Sequence, residues 1–141
     1  CDLIFKDMKL VNKPMLMLHA EFDDYAPTID CINYVKKLKE NKNPVELKIY
    51  KGAYHGFVSV REKEKEFLSD VGNFRNCKSG YVTDEGYWFY NNKEWKNMTE
   101  LDSVNAIWKE CGRPGVTIGG TVEEQQQAVT DTVNFFTKHL K

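Results

Sequence analysis

Pro14-Met-Leu-Met-Leu-His-Ala-Glu-Phe-Asp-Asp-Tyr-Ala-Pro27 and, one helix-length further on, Val45-Glu-Leu-Lys-Ile-Tyr-Lys-Gly-Ala-Tyr-His-Gly-Phe57 decide how this chain folds. Each is an apolar run that ends in a small-residue turn carrying an acid or a histidine. The Met-Leu-Met-Leu run is apolar on both faces, as a buried parallel strand is. The second run alternates Val45, Leu47 and Ile49 with Glu46 and Lys48, which predicts a strand with one wetter face near a sheet edge. Between them, Thr28 to Lys39 has Ile29, Ile32, Val35 and Leu38 at spacings of three, with Lys36, Lys37 and Lys39 largely outside that stripe; this predicts a surface helix. Asn41 to Pro44 ends it, because Pro cannot continue a helix. The order is strand, acid loop, crossover helix, strand, histidine loop.

That order has a chemical consequence. A right-handed crossover returns the second strand parallel to the first, so both finish at the same sheet edge. Adjacent strands lie roughly 4.8 Å apart, and loops leaving their carboxyl ends can bring an Asp and a His within hydrogen-bond reach. An Asp that accepts the Nδ1 proton of a His fixes its tautomer and leaves Nε2 to take a proton from a nucleophile.

At these residues the chain resembles the α/β-hydrolase fold and, within it, the dienelactone hydrolase family. The matching residues are Ala20, Asp23 and Pro27 in the acid loop, then Tyr50, Gly52, Ala53, His55 and Phe57. The resemblance covers residues 14 to 57 best and the terminal helix near 121 to 140 less closely; Ala20 stands where Gly is more usual. It implies a hydrolase of ester or lactone bonds in which Asp23 is the triad acid and His55 the base.

Hydrolases of this fold present Ser or Cys on a G-x-S-x-G elbow or its Cys variant, upstream of the acid and histidine. Neither pattern occurs in this sequence, and Ser59, Ser69, Ser79 and Ser103 all follow His55. The expectation is therefore a carboxyl-terminal portion of a larger enzyme, inactive as an isolated chain, which opens on Cys1. Loss of the central strands would leave the Met15 to His19 strand with an unpaired apolar edge, so a homo-oligomer is expected.

The 141 residues are 41% hydrophobic with a net charge of -1, a balance that favours neither nucleic acid nor an anionic membrane as partner. No apolar run approaches the roughly 20 residues that span a bilayer, and no basic, apolar amino-terminal leader is present. Four cysteines permit two disulfides. Cys77 can pair with Cys111 and Cys1 with Cys31, and two such bridges would place the protein in the periplasm or outside the cell. With neither formed, cytoplasm is the default, and Cys31 packs on the inner face of its helix. A lipoprotein start at Cys1 fits poorly, because Leu3-Ile4-Phe5 reads as the end of a packed element rather than a polar tether.

The rest divides into segments: 1–57, the strand-acid-helix-strand-histidine core; 58–120, an insertion or lid; and 121–141, a terminal core helix. Residues 2 to 13, with their Lys and Asn, read as a linker leading into the first strand. Arg61 to Ser69 reads as a charged helix, Tyr81 to Tyr90 as a hairpin around Asp84-Glu-Gly86, and Thr99-Glu-Leu-Asp102 as a capping box before Leu101, Val104, Ile107 and Trp108. Gly112 and Pro114 terminate that helix. Thr121-Val-Glu-Glu124 is a second capping box, and Val129, Val133, Phe136 and Leu140 form the stripe expected to dock on the sheet.

Each candidate also has a plainer role. Asp23 alone is a turn residue and His55 alone a loop histidine; their joint spacing favours catalysis. His19 at the strand end lines the site or, more simply, packs or bonds to a loop. Asp24 and Tyr25 shape the rim or are merely solvated, and His139 complements the helix dipole. Tyr81, Tyr87, Trp88, Phe89, Tyr90 and Trp95 support an alternative, a noncatalytic carbohydrate- or peptide-binding module, unless they form a satellite core. No Cys-x-x-Cys or His-x-x-x-His spacing suggests a metal, and no cofactor is expected.

Overall fold

The structure is a computed structural model and describes residues 3–5, 13–59, 65–77, 80–83, 85–90, 93–95 and 100–140. Its elements run β1 (Leu3–Phe5), β2 (Met15–Ala20), α1 (Thr28–Glu40), β3 (Val45–Tyr50), β4 (Glu66–Asn73), β5 (Gly80–Val82), β6 (Trp88–Tyr90), β7 (Lys93–Trp95), α2 (Glu100–Cys111), β8 (Arg113–Ile118) and α3 (Val122–His139). β2 and β3 pair in parallel, Met15 opposite Val45 through Ala20 opposite Tyr50. Among the described residues β2 has β3 as its one strand neighbour. β4 and β8 pair antiparallel with an irregularity between Leu68 and Gly72, and β1, β5, β6 and β7 form a third sheet.

The two faces of the β2–β3 pair are covered differently. Val35 and Leu38 of α1 meet Val45, with Met15, Met17, Tyr34 and Leu47 around them. Leu38 is fully buried, and burying a Leu side chain stabilises by about 1.5–3 kcal/mol. The opposite face packs Ala20, Tyr50, Ala53 and Phe57 against Ala128 of α3. Here Glu46 and Lys48 remain exposed, as the alternation predicts, while their charged ends reach α3. Lys48 Nζ donates to Asp131 Oδ1 at 2.5 Å, the Tyr50 hydroxyl to Asp131 Oδ2 at 2.8 Å, and Lys138 Nζ to Glu46 at 3.0 Å. Tyr50's hydroxyl is harder to ionise, because burial and the neighbouring Asp131 both disfavour the phenolate. Lys48 holds the Asp131 carboxyl below the ordinary Asp value, against its burial and with help from Tyr50 and Gln127.

Several expectations need correction. α1 buries Val35 and Leu38 of the stripe read in sequence but not Ile29 and Ile32, and α3 turns a different stripe inward. In α1 the buried residues are Cys31, Val35 and Leu38, while Ile29 and Ile32 are exposed; steps of three drift around a 3.6-residue helix, and the inward stripe follows steps of four and three. In α3 the buried residues are Ala128, Asp131 and Phe135, while Val129, Val133, Phe136 and Leu140 are exposed. The partner face is rich in polar groups, and α3 presents its carboxylate to them. Within the charged run at 61–69, residues 66–69 are strand, part of β4, because Glu66, Phe67 and Leu68 pair with β8. Arg113–Ile118, read only as a helix stop, is that partner strand. Leu3–Phe5 is a strand and not linker, pairing in parallel with β5.

Other readings are matched. α2 ends at Cys111, with the Gly112 amide bonded to Trp108 O at 2.9 Å. β5 and β6 pair antiparallel as a hairpin, although Asp84 at its turn lies outside the described residues, as do Thr99 and Cys1 and the side chains of Tyr81, Trp88, Tyr90 and Trp95. The Thr121–Glu124 capping box forms with both of its hydrogen bonds. Cys77 and Cys111 are joined by a disulfide across a separation of 34 residues, and Cys31 has no free thiol either.

Candidate active site

The parallel ladder continues past the strand ends and starts the two loops together. The amide of Glu21 donates to Tyr50 O at 3.0 Å and that of Phe22 to Ala53 O at 2.9 Å. Glu21 Oε2 accepts the Gly52 amide at 2.9 Å. Gly52 has φ +81°, a left-handed conformation that suits glycine, so the chain can turn directly out of β3. Thr28 closes the acid loop from its far end, its hydroxyl donating to the carbonyls of Ala20 and Glu21.

Asp23 and His55 meet between these loops. His55 Nδ1 lies 3.0 Å from Asp23 Oδ2 and 3.2 Å from Oδ1. The Asp23 side chain is 5% exposed and that of His55 40%. The carboxylate is also held by its own loop, with Oδ1 accepting the amides of Tyr25 at 3.0 Å and Ala26 at 2.7 Å. Burial alone would raise the Asp23 carboxyl. The His55 hydrogen bond, the Ala26 amide and the charges of the His55 and His19 imidazoles together outweigh it and hold the group below its ordinary value. The buried acid is therefore an anion at neutral pH, and the Nδ1 edge of a partly exposed imidazole faces it. Such a pair can hold His55 as its Nδ1–H tautomer and stabilise the imidazolium, with Nε2 on the opposite side of the ring. The Tyr25 ring lies against His55, centroids 4.6 Å apart and tilted by 45°.

The other candidates separate. His19 is inside the acid loop: its Nε2 is 3.0 Å from Ala26 O, and its Nδ1 is 3.5 Å from Cys31 Sγ, a disulfide sulfur that can only accept. Its Nε2 is 3.9 Å from Asp23 Oδ2. His139 belongs to α3 instead, its ring 4.6 Å from that of Phe135.

β8 was missed as part of the site. Its carboxyl end lies along the histidine loop: Ile118 bridges to His55, the Gly119 amide donates to His55 O at 2.9 Å, and the Tyr54 amide donates to Gly119 O at 3.0 Å. One residue earlier, Thr117 gives its amide to Asp24 Oδ1 at 2.8 Å and its hydroxyl to Asp24 Oδ2 at 3.1 Å. Arg75 Nη1 is 3.6 Å from Asp24 Oδ2. The β-branched run Val116-Thr-Ile118 was the available signal for a strand; nothing local signalled the bond to Asp24.

Among the described residues no group of three or more His, Cys, Asp or Glu side chains could hold a metal ion. No helix among them is long and apolar enough to cross a membrane. A model of the prolyl oligopeptidase family matches residues 4–80, a span that includes the acid loop, α1, β3 and the histidine loop. No curated protein and no solved structure matches the chain.

Proposed function

This chain belongs to the prolyl oligopeptidase family, within the α/β-hydrolase superfamily, and from that premise we propose that it supplies the acid and the base of a hydrolytic acyl-transfer site. In this reading Nε2 of His55 takes the proton of an attacking hydroxyl or thiol and later gives it to the leaving group. Asp23 orients the imidazole and stabilises its cation through Nδ1–H. The observation that carries the reading is the 3.0 Å contact between a buried carboxylate and a partly exposed histidine at one sheet edge.

The scissile group is a carboxylic acyl bond. The pattern Ala20-x-x-Asp23-x-x-x-Pro27 resembles that of dienelactone hydrolases and favours an ester or lactone; the name of the matched family adds an oligopeptide, which the same proton transfers would serve. The nucleophile elbow does not occur in the 141 residues, so nucleophile and oxyanion hole come from sequence outside them and the isolated chain does not turn over. Residues 1–57 and 121–141 form the core in this proposal and 58–120 an insertion, whose last strand touches the site. A homo-oligomer formed across the β2 edge, and an oxidising compartment that keeps Cys77–Cys111 closed, complete the proposal.

Hydrolysis of p-nitrophenyl acetate and of a prolyl anilide tests it, using this chain and the longer polypeptide read from the frame upstream of Cys1. The longer polypeptide should turn over one of them and lose on the order of 10⁴-fold in rate with His55→Ala or Asp23→Asn, whereas this chain should show no His55-dependent rate. Full activity of the longer polypeptide without His55 would refute the role.

A further inference from the structure

We propose that Asp24 is a positioning residue: it pins the acid loop to β8, and through that strand holds Asp23 in register with His55. The inference rests on the Asp23–His55 reading above and deepens it. Asp23 and Asp24 are adjacent but face different partners. Asp23 bonds His55 and its own loop, whereas Asp24 accepts both the amide and the hydroxyl of Thr117 and faces Arg75. Two residues beyond Thr117, Gly119 exchanges backbone hydrogen bonds with the histidine loop on both sides of residue 54–55. Residues 117–119 therefore touch the acid loop at one end and the base loop at the other, and act as a ruler between them.

The ruler is itself braced. β8 pairs with β4 along Glu66–Ile118 to Asn73–Arg113, the Asn73 side chain donates to Gly115 O, and the Cys77–Cys111 bridge joins the segments just after β4 and just before β8. Arg75 lies in the first of those segments. The charge pair adds little, because the Arg75 side chain is 46% exposed and exposed pairs are worth about 0–1 kcal/mol. The two hydrogen bonds from Thr117 carry the clamp.

The readout is the tautomer of His55 in the full 141-residue chain, from imidazole ¹⁵N shifts above its titration. The unmodified chain should be mainly Nδ1–H, and Asp23→Asn should abolish that bias. Asp24→Ala should lower the Nδ1–H to Nε2–H ratio about fivefold, the worth of one net hydrogen bond. Asp24→Asn, which keeps an acceptor for the Thr117 amide but loses the charge, should restore most of the bias and so separate positioning from field. Thr117→Val, which removes the hydroxyl alone, should fall between.

A folded Asp24→Ala with the unmodified ratio overturns the clamp. If Asp24→Ala gives no folded amide spectrum, an unmodified ratio in Thr117→Val overturns it. No change with Asp23→Asn overturns the acid–base pair itself, and the clamp with it.

Discussion

Asp131→Ala is expected to destabilise the chain by about 2 kcal/mol, and Val133→Ala, two residues further along α3, by less than about 0.5 kcal/mol. The contrast follows from which side of α3 meets the sheet. Asp131 is 7% exposed and accepts from Lys48, Tyr50 and Gln127. Its removal leaves the hydroxyl of Tyr50, a residue 7% exposed, without its carboxylate, at a cost of about 1–3 kcal/mol. Lys48 adds less, because its side chain is 44% exposed and its ammonium can return to water, leaving about 0–1 kcal/mol. Alanine's better helix propensity offsets about 0.5 kcal/mol.

Val133 is 57% exposed, so truncation loses little burial and gains helix propensity. Urea unfolding at neutral pH measures both, with an unchanged m-value as the check that the variants remain two-state. A double-mutant cycle of Asp131→Ala with Tyr50→Phe should give a coupling of about 1 kcal/mol. A larger loss for Val133→Ala than for Asp131→Ala would refute the docking described for α3.

Three further outcomes are expected. The folded pKa of Asp23 lies below its ordinary value, so its contribution is full above about pH 5 and is lost as pH falls through the ordinary and then the folded pKa. The stability difference between the unmodified chain and Asp23→Asn should accordingly shrink between about pH 5 and pH 3, and a constant difference would contradict the assignment. Replacing Cys77 and Cys111 together by Ala should cost about 4 kcal/mol, the closure entropy of a loop of this length, read as a fall in the urea midpoint. Gly115→Ala should cost about 1–2 kcal/mol, mainly for its φ of +92°. The added Cβ also meets the Phe67 ring at 2.6 Å, but Phe67 is 66% exposed and can swing aside; Phe67→Ala in the same background should therefore recover little.

The part of the fold legible in the sequence was local. Met15 to Tyr50 announces itself because an unbroken apolar run, a helix-length spacer and a period-two run agree with one another, and their order brings Asp23 to His55. β8 was opaque for the opposite reason. Arg-Pro-Gly opens it, a poor strand start by composition, and its state depends on β4, which begins 47 residues before it. The α3 stripe misled because valines at helical spacing normally mark the buried face, whereas here the sheet offers Lys48 and Tyr50, and the helix answers with a carboxylate. Asp24 looked like rim because its partner, Thr117, is 93 residues away.

The reach of β8 bears on where this chain can be cut. The stretch that matches the family, residues 4–80, contains Asp23 and His55, and a boundary drawn by likeness alone would end there. Such a trimmed chain would discard Thr117 and Gly119, and with them the bonds that carry Asp24 and the carbonyl of His55. It would also open the Cys77–Cys111 bridge and strip β4 of its partner. What is shared with relatives and what holds together as a body are thus different lengths of this polypeptide, and expression trials should follow the second.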